Sequence, residues 1–169
     1  MELVILIGLQ AAGKSTFYQS QLASTHEVVS KDRLNSSKAR NKELRQRERI
    51  EAAFAEGKSI VVDNTNITAQ ERQPLIELAH QYGAQVIGYY FEPDVKASRE
   101  RNQQRAGKAQ VPDRVIFITA HRLAPPSYDE GFDALYNVRV AEHSTPDNPQ
   151  WLIEAVPRSE ELKIANQLE

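Results

Sequence analysis

The sequence contains no cysteine, which excludes disulfide staples and thiolate metal sites and fits a reducing compartment. Its four histidines, at positions 26, 80, 121 and 143, show no ligand spacing, so no dedicated protein metal site is expected from them. Long apolar runs are missing as well. The N-terminal run Leu3-Val4-Ile5-Leu6-Ile7 is far too short to span a bilayer and has no basic region ahead of it, so a soluble, cytoplasmic protein with no membrane partner is expected. Internal repeats and low-complexity stretches are absent, and 169 residues suit one domain with a full core rather than two.

The formal net charge is only −2, but the charge is segregated. Residues 31–49 carry eight basic side chains against three acidic ones, and residues 96–114 carry six against two. Two basic stretches therefore sit on an acidic body, a distribution compatible with a nucleic-acid partner and equally with solvated helix faces.

What the chain does contain is a complete phosphate-binding loop. The apolar run feeds directly into Gly8-Leu9-Gln10-Ala11-Ala12-Gly13-Lys14-Ser15-Thr16, which satisfies G-x-x-x-x-G-K-[ST]. A turn that wraps a polyphosphate must point backbone N–H groups inward and approach the oxygens closely, which Gly8 and Gly13 permit. The helix expected from Lys14 aims its free N–H groups and positive dipole end at the same anion. Lys14 adds a full charge over the β- and γ-phosphates, and Ser15 is spaced to ligate Mg²⁺. Residues Gly8, Gln10 to Thr16 are thus candidates to bind ATP, with Mg²⁺ as the accompanying ion.

The rest of the chain alternates strand and helix. Helical segments are expected at 14–23, 37–56, 68–82, 94–104 and 112–123, and strands at 3–7, 26–29, 59–62, 85–91 and 134–141. Thr68 with Glu71 reads as a capping box, while Pro74 should either kink that helix or shift its start toward Gln73. Ile50, Ala53 and Phe54 form an apolar stripe, and Ile60-Val61-Val62 has the composition of a strand buried on both faces. Tyr89-Tyr90-Phe91 reads as sheet core rather than as a base-stacking platform. The turn-rich stretch 144–149 suggests a hairpin to 151–155, followed by a short helix from about 159. The pattern predicts a single α/β domain with a mostly parallel central sheet flanked by helices, with ligands at the carboxyl ends of the strands.

Two carboxylates fall just past strand ends. Asp63 stands where such sheets place an acid near Mg²⁺, and Asp32 stands where a side chain could orient an acceptor hydroxyl and take its proton. Arg101 and Arg105 lie in a basic segment bounded by Gly107 and Pro112, a candidate lid that would stabilise charge on the transferring phosphate. A strand-end aspartate also serves as a cap or turn residue, and arginines four apart also lie on wet helix faces; the residues alone leave both readings open.

Four stretches carry a resemblance to a known family. These are the phosphate loop, Ser30-Lys31-Asp32-Arg33, Val62-Asp63-Asn64-Thr65-Asn66, and Glu100-Arg101-Asn102-Gln103-Gln104-Arg105. In their order and spacing the chain resembles the 5′-hydroxyl polynucleotide kinases of phage and of animal DNA-end repair over about residues 1–140. The resemblance implies a P-loop kinase fold with an arginine-bearing lid. It further implies Asp32 as general base, catalytic parts for Lys14 and Arg105, Arg101 and Arg105 on the donor phosphates, and Ser15 and Asp63 at the metal. Asp32, Arg33, Asn35, Asn64, Thr65 and Asn66 become the acceptor-side set, with Thr65 and Asn66 open to a structural role or to acceptor-side polar contacts. Asn35 departs from the phage member, which has a phosphate-engaging arginine there; Arg33, Lys38 and Arg40 are candidates to replace it.

The expected domain boundaries are 1–141 for the P-loop kinase domain and 142–169 for a C-terminal extension packed on it. The expected activity is ATP-dependent phosphorylation of 5′-hydroxyl ends of DNA or RNA, in nucleic-acid repair. The alternatives are a kinase of a small hydroxylated metabolite, antibiotic or nucleotide-sugar, which Asn35 and the acidic net charge favour, and a nucleotide-dependent switch with no acceptor.

Overall fold

The computed structural model describes residues 1–34, 39–145 and 147–159. Asn35, Lys38 and the helix expected beyond residue 159 lie outside the described residues.

Six strands form one sheet: β1 (Glu2–Ile7), β2 (His26–Val29), β3 (Ser59–Asp63), β4 (Gln85–Phe91), β5 (Ala134–Val140) and β6 (Trp151–Ala155), in the order β2-β3-β1-β4-β5-β6. The first five run parallel and β6 returns antiparallel to β5. Helices α1 (Lys14–Phe17), α2 (Ala39–Ala55), α3 (Ala69–Gln81), α4 (Val95–Gln103) and α5 (Asp113–Arg122) connect them.

β1 is central, pairing with β3 through Val4 and Val61 and with β4 through Val4 and Ile87. Its uninterrupted apolar sequence follows from burial on both faces. Leu3, Ile5 and Ile7 face one core, built with Ile50 and Phe54 of α2 and with Leu75, Ile76 and Ala79 of α3. Val4 and Leu6 face the other, built with Phe17, Tyr18 and Leu22 beyond the phosphate loop and with Phe91 and Val138. The segments following β1 and β3 therefore leave the sheet toward opposite faces. Neighbouring strands whose connections diverge in this way open a crevice at their carboxyl ends.

The helix expected over 14–23 changes character midway. Lys14–Phe17 is α-helical, but Tyr18–Leu22 widens to a π-helix whose wider turn presents Tyr18 and Leu22 to the second core. α3 starts at Ala69 and runs through Pro74, so the start does not shift toward Gln73. Pro74 leaves the Gln70 carbonyl without a helical donor. Both residues are exposed, so water can satisfy that carbonyl. Thr68 caps the helix by accepting from the Glu71 N–H at 3.3 Å. The reciprocal bond is displaced by one residue, because the Glu71 carboxylate accepts from the Ile67 N–H at 3.1 Å.

Arg72 is wholly buried in α3. Its guanidinium makes a two-pronged ion pair with Glu130, at 2.7 and 2.8 Å, and donates to the carbonyls of Asn66 and Ala124. Three segments that follow β3, α5 and precede β5 are tied together by one side chain. Among the described residues no helix is long and apolar enough to cross a membrane.

Candidate active site

The crevice between the ends of β1 and β3 is a cleft of 640 Å³. One wall is the phosphate loop. Gly8 anchors it by donating its N–H to the Thr65 carbonyl at 3.0 Å, and a Cβ there would lie 2.9 Å from the Phe91 Cβ, so the loop can start this close to β4 only with glycine. Ala11 and Gly13 both take left-handed backbone angles, with φ of 56° and 98°. The loop turns tightly at those two residues before the Phe17 N–H donates to the Gly13 carbonyl and the helix begins.

Lys14 is folded back under the loop, donating to the carbonyls of Gly8, at 3.0 Å, and Leu9. Burial lowers its pKa from the usual lysine value to about 8, against the opposing attraction of Asp63 and Asp32, while Arg105 pushes it down further. Ser15 Oγ donates to Asp63 Oδ2 at 2.6 Å. This hydroxyl and carboxylate are hard oxygen donors, and no sulfur or imidazole occurs among the described residues lining the cleft, which is the set that suits Mg²⁺.

Asp32 also lines the cleft. It sits in a short 3-10 turn, Lys31–Arg33, that follows β2, where Ser30 Oγ accepts from the Asp32 N–H at 3.3 Å. The turn is held from the sheet side: Asn64 Oδ1 accepts from the Lys31 N–H at 2.9 Å, and Asn64 Nδ2 donates to Gln46 Oε1 of α2 at 2.8 Å. Asp32 is exposed and lines the cleft together with Lys14, Ser15 and Asp63.

The structure brings most of the expected residues to this cleft. Gln10, Ala11, Ala12, Gly13, Lys14, Ser15, Asp32, Arg33, Asp63, Asn64, Thr65 and Arg105 all line it. Gly8 anchors the loop without lining the cleft, and three more lie elsewhere. Thr16 is exposed on α1, outside the cleft wall. Asn66 is buried with a φ of 48°, and its amide donates to the Leu6 carbonyl at 2.7 Å, so it braces the end of β1. Arg101 reaches the loop from behind, donating to the Ala11 carbonyl at 2.7 Å and lining a separate 460 Å³ cavity with Ala12 and Phe91. Burial lowers its pKa, although Asp94 opposes the shift.

The lid is a defined loop. Asn102, almost fully buried, closes it through two bonds to the Val111 backbone, at 2.7 and 3.0 Å, and Arg99 pairs with Asp113 at 2.8 Å to join α4 to α5. Arg105 and Lys108 project from this closed loop into the cleft. Lys42 of α2 also lines it. Lys42 and Lys108 both belong to the basic stretches of the sequence, yet alternating charge along a helix or loop does not tell which cations face inward. Gln46 was equally hidden, whereas Arg72 carried a signal: it continues the inward spacing of Leu75, Ile76 and Ala79 on α3.

The fold and the site together define a P-loop protein of kinase fold. The chain belongs to the AAA domain family, which it matches over residues 3–126. It is similar to the bifunctional polynucleotide phosphatase/kinase of Schizosaccharomyces pombe, with 30% identity over 135 residues that cover 78% of this chain and 32% of that protein. The match thus spans about a third of the length of that curated relative. Among solved structures, a fungal RNA kinase superposes with a TM-score of 0.64 at 17% identity, over 86% of this chain and 78% of that one. A gluconokinase from Sinorhizobium meliloti gives 0.58 at 16% identity, over 80% and 82%. These two share the fold.

Proposed function

We propose that the protein transfers the γ-phosphate of ATP to the 5′-hydroxyl end of DNA or RNA, a reaction of polynucleotide end repair. The observation that carries this reading is the shared cleft: Asp32 lines the same space as the phosphate-loop residues Gly13, Lys14 and Ser15, together with Arg33, Lys42, Arg105 and Lys108. Arg33, Arg105 and Lys108 are solvent-exposed, so the acceptor side is open and cationic, as a polyanionic chain end requires. The fission yeast relative's name includes polynucleotide kinase, and the RNA kinase neighbour has the same fold.

In this reading the loop N–H groups and Lys14 hold the β- and γ-phosphates. Lys14 leaves the carbonyls of Gly8 and Leu9 when the phosphate oxygens arrive. Ser15 and Asp63 would hold Mg²⁺, which when bound neutralises phosphate charge. Asp32 accepts the proton of the attacking hydroxyl as its oxygen bonds to the γ-phosphorus and the bond to the bridging oxygen of ADP breaks. Arg105 stabilises charge on the equatorial oxygens, and Arg101 fixes the loop at Ala11. Arg33, Asn64 and Thr65 form the near acceptor wall.

The test is incubation with Mg²⁺, γ-labelled ATP and a 5′-hydroxyl oligonucleotide, as DNA and as RNA. Labelled 5′ ends that decline steeply with salt are expected. No label at low salt with either polymer overturns the reading, and label on a sugar acid or other small alcohol instead moves it to a metabolite kinase.

A further inference from the structure

The sequence has one tryptophan, Trp151, on β6, well past residue 126 where the family match ends. Its indole meets Phe17 edge-on, with centroids 5.3 Å apart at 83°, and Phe91 at 6.0 Å and 84°. Its Nε1–H donates to Ser20 Oγ at 3.2 Å. The far edge of the ring reaches the phosphate loop itself. A Cβ on Gly13 would lie 2.9 Å from Trp151 Cη2 and 3.3 Å from Cζ3.

We propose that Trp151 is a positioning residue for the nucleotide phosphates, acting through Gly13, and that the β5–β6 hairpin is part of the nucleotide site. Gly13 sits at the left-handed turn that points the following N–H groups at the anion. A glycine there has no side chain to hold it, so whatever packs on its α-carbon sets the turn. Trp151 supplies a rigid surface with only two side-chain torsions to order. Its contacts with Phe17, Phe91 and Ser20 fix the ring against α1, the π-helical turn and β4. Arg101 holds Ala11, on the same loop. Because the ring supports the phosphate-bound shape of the loop, nucleotide binding and hairpin docking strengthen each other, reciprocally.

The inference rests only on the nucleotide-binding half of the proposed function and is indifferent to the acceptor. Its test uses the intrinsic emission of the single tryptophan together with calorimetric titration of Mg-ADP. Saturating nucleotide should change Trp151 emission in the unmodified protein. Trp151→Ala should weaken ADP binding by about tenfold, within the usual range of coupling between linked sites, and Trp151→Phe by less than about threefold. The acceptor KM should stay unchanged in both. Leu152→Ala, on the exposed opposite side of the same strand, should bind ADP as the unmodified protein does. Where Trp151→Ala does not fold, Trp151→Leu carries the same comparison. The proposal is overturned by unchanged emission at calorimetrically saturated sites, by unchanged affinity on removing the indole, or by an equal loss in Leu152→Ala. Nucleotide binding without transfer to any polynucleotide leaves it standing and removes only the acceptor assignment; no nucleotide binding at all removes both.

Discussion

Ser15 Oγ donates a 2.6 Å hydrogen bond to Asp63 Oδ2, joining the residue after the loop lysine to the last residue of β3. The bond holds the hydroxyl against a carboxylate that lines the same cleft. Asp63→Asn weakens the charge that orients this hydroxyl while keeping the side chain's shape. Turnover should fall by about 10- to 100-fold, the usual effect of losing a residue that supports a metal ligand. The loss should grow as Mg²⁺ is lowered, and ADP binding measured in EDTA should be nearly unaffected. A magnesium dependence identical to that of the unmodified protein would remove Asp63 from the metal site.

Among the described residues, the turn that carries Asp32 is held by its neighbours: Ser30 caps it and Asn64 bonds Lys31. Asp32→Asn should therefore fold normally. If the carboxylate takes the hydroxyl proton, kcat should drop by about 10²- to 10⁴-fold with ATP affinity unchanged. Single-turnover assays with labelled ATP separate this outcome from weakened binding. A small loss confined to the acceptor KM would make Asp32 a binding residue instead.

The strand ends and the phosphate loop were legible in the sequence because each has a local cause. Ile60-Val61-Val62 must be buried on both faces, and glycines at 8 and 13 are required by close approach and by a positive φ. The antiparallel hairpin to β6 was legible for the same reason, since turn residues punctuate it. What the sequence left hidden depends on contacts between distant segments. Nothing local distinguishes Lys42 and Lys108, which face the cleft, from Arg47, which pairs with Glu51 along the solvent side of α2. The motif residues Asn64 and Asn66 look alike on paper, yet one supports the Asp32 turn and the other braces β1. Trp151 gives no sign of reaching Gly13, because the contact spans nearly the whole chain.

Burial of Lys14 produces two opposite pH dependences. Its pKa is about 8 in the folded protein and 10.5 for the ordinary side chain. Below pH 8 both folded and unfolded chains carry the proton. Between about 8 and 10.5 the unfolded chain binds more protons at this site, so its contribution to stability rises with pH. Nucleotide binding runs the other way. Phosphate favours the charged amine, so affinity for ADP should fall above pH 8, by up to about tenfold per unit. Subtracting the profile of Lys14→Met, which cannot titrate, isolates both trends in urea titrations and calorimetry at pH 7 to 10. Parallel profiles for the two proteins would show that the amine keeps its ordinary pKa.

Arg72 and Glu130 test how far the site depends on its scaffold. Arg72→Ala strands a mostly buried carboxylate and leaves the carbonyls of Asn66 and Ala124 without their donor. Breaking a buried pair from one side costs about 3–5 kcal/mol, which urea unfolding would read directly. Arg72→Lys should recover little, since an ammonium cannot span both Glu130 oxygens and the two carbonyls from one position. Glu130→Gln retains shape and one acceptor and should cost less than Arg72→Ala. Because Asn66 follows Asp63, Asn64 and Thr65 in one short segment, the folded fraction of Arg72→Lys should also show reduced turnover. Full turnover per folded molecule would mean that the cleft is fixed by β3 and the phosphate loop alone, with Arg72 serving stability only.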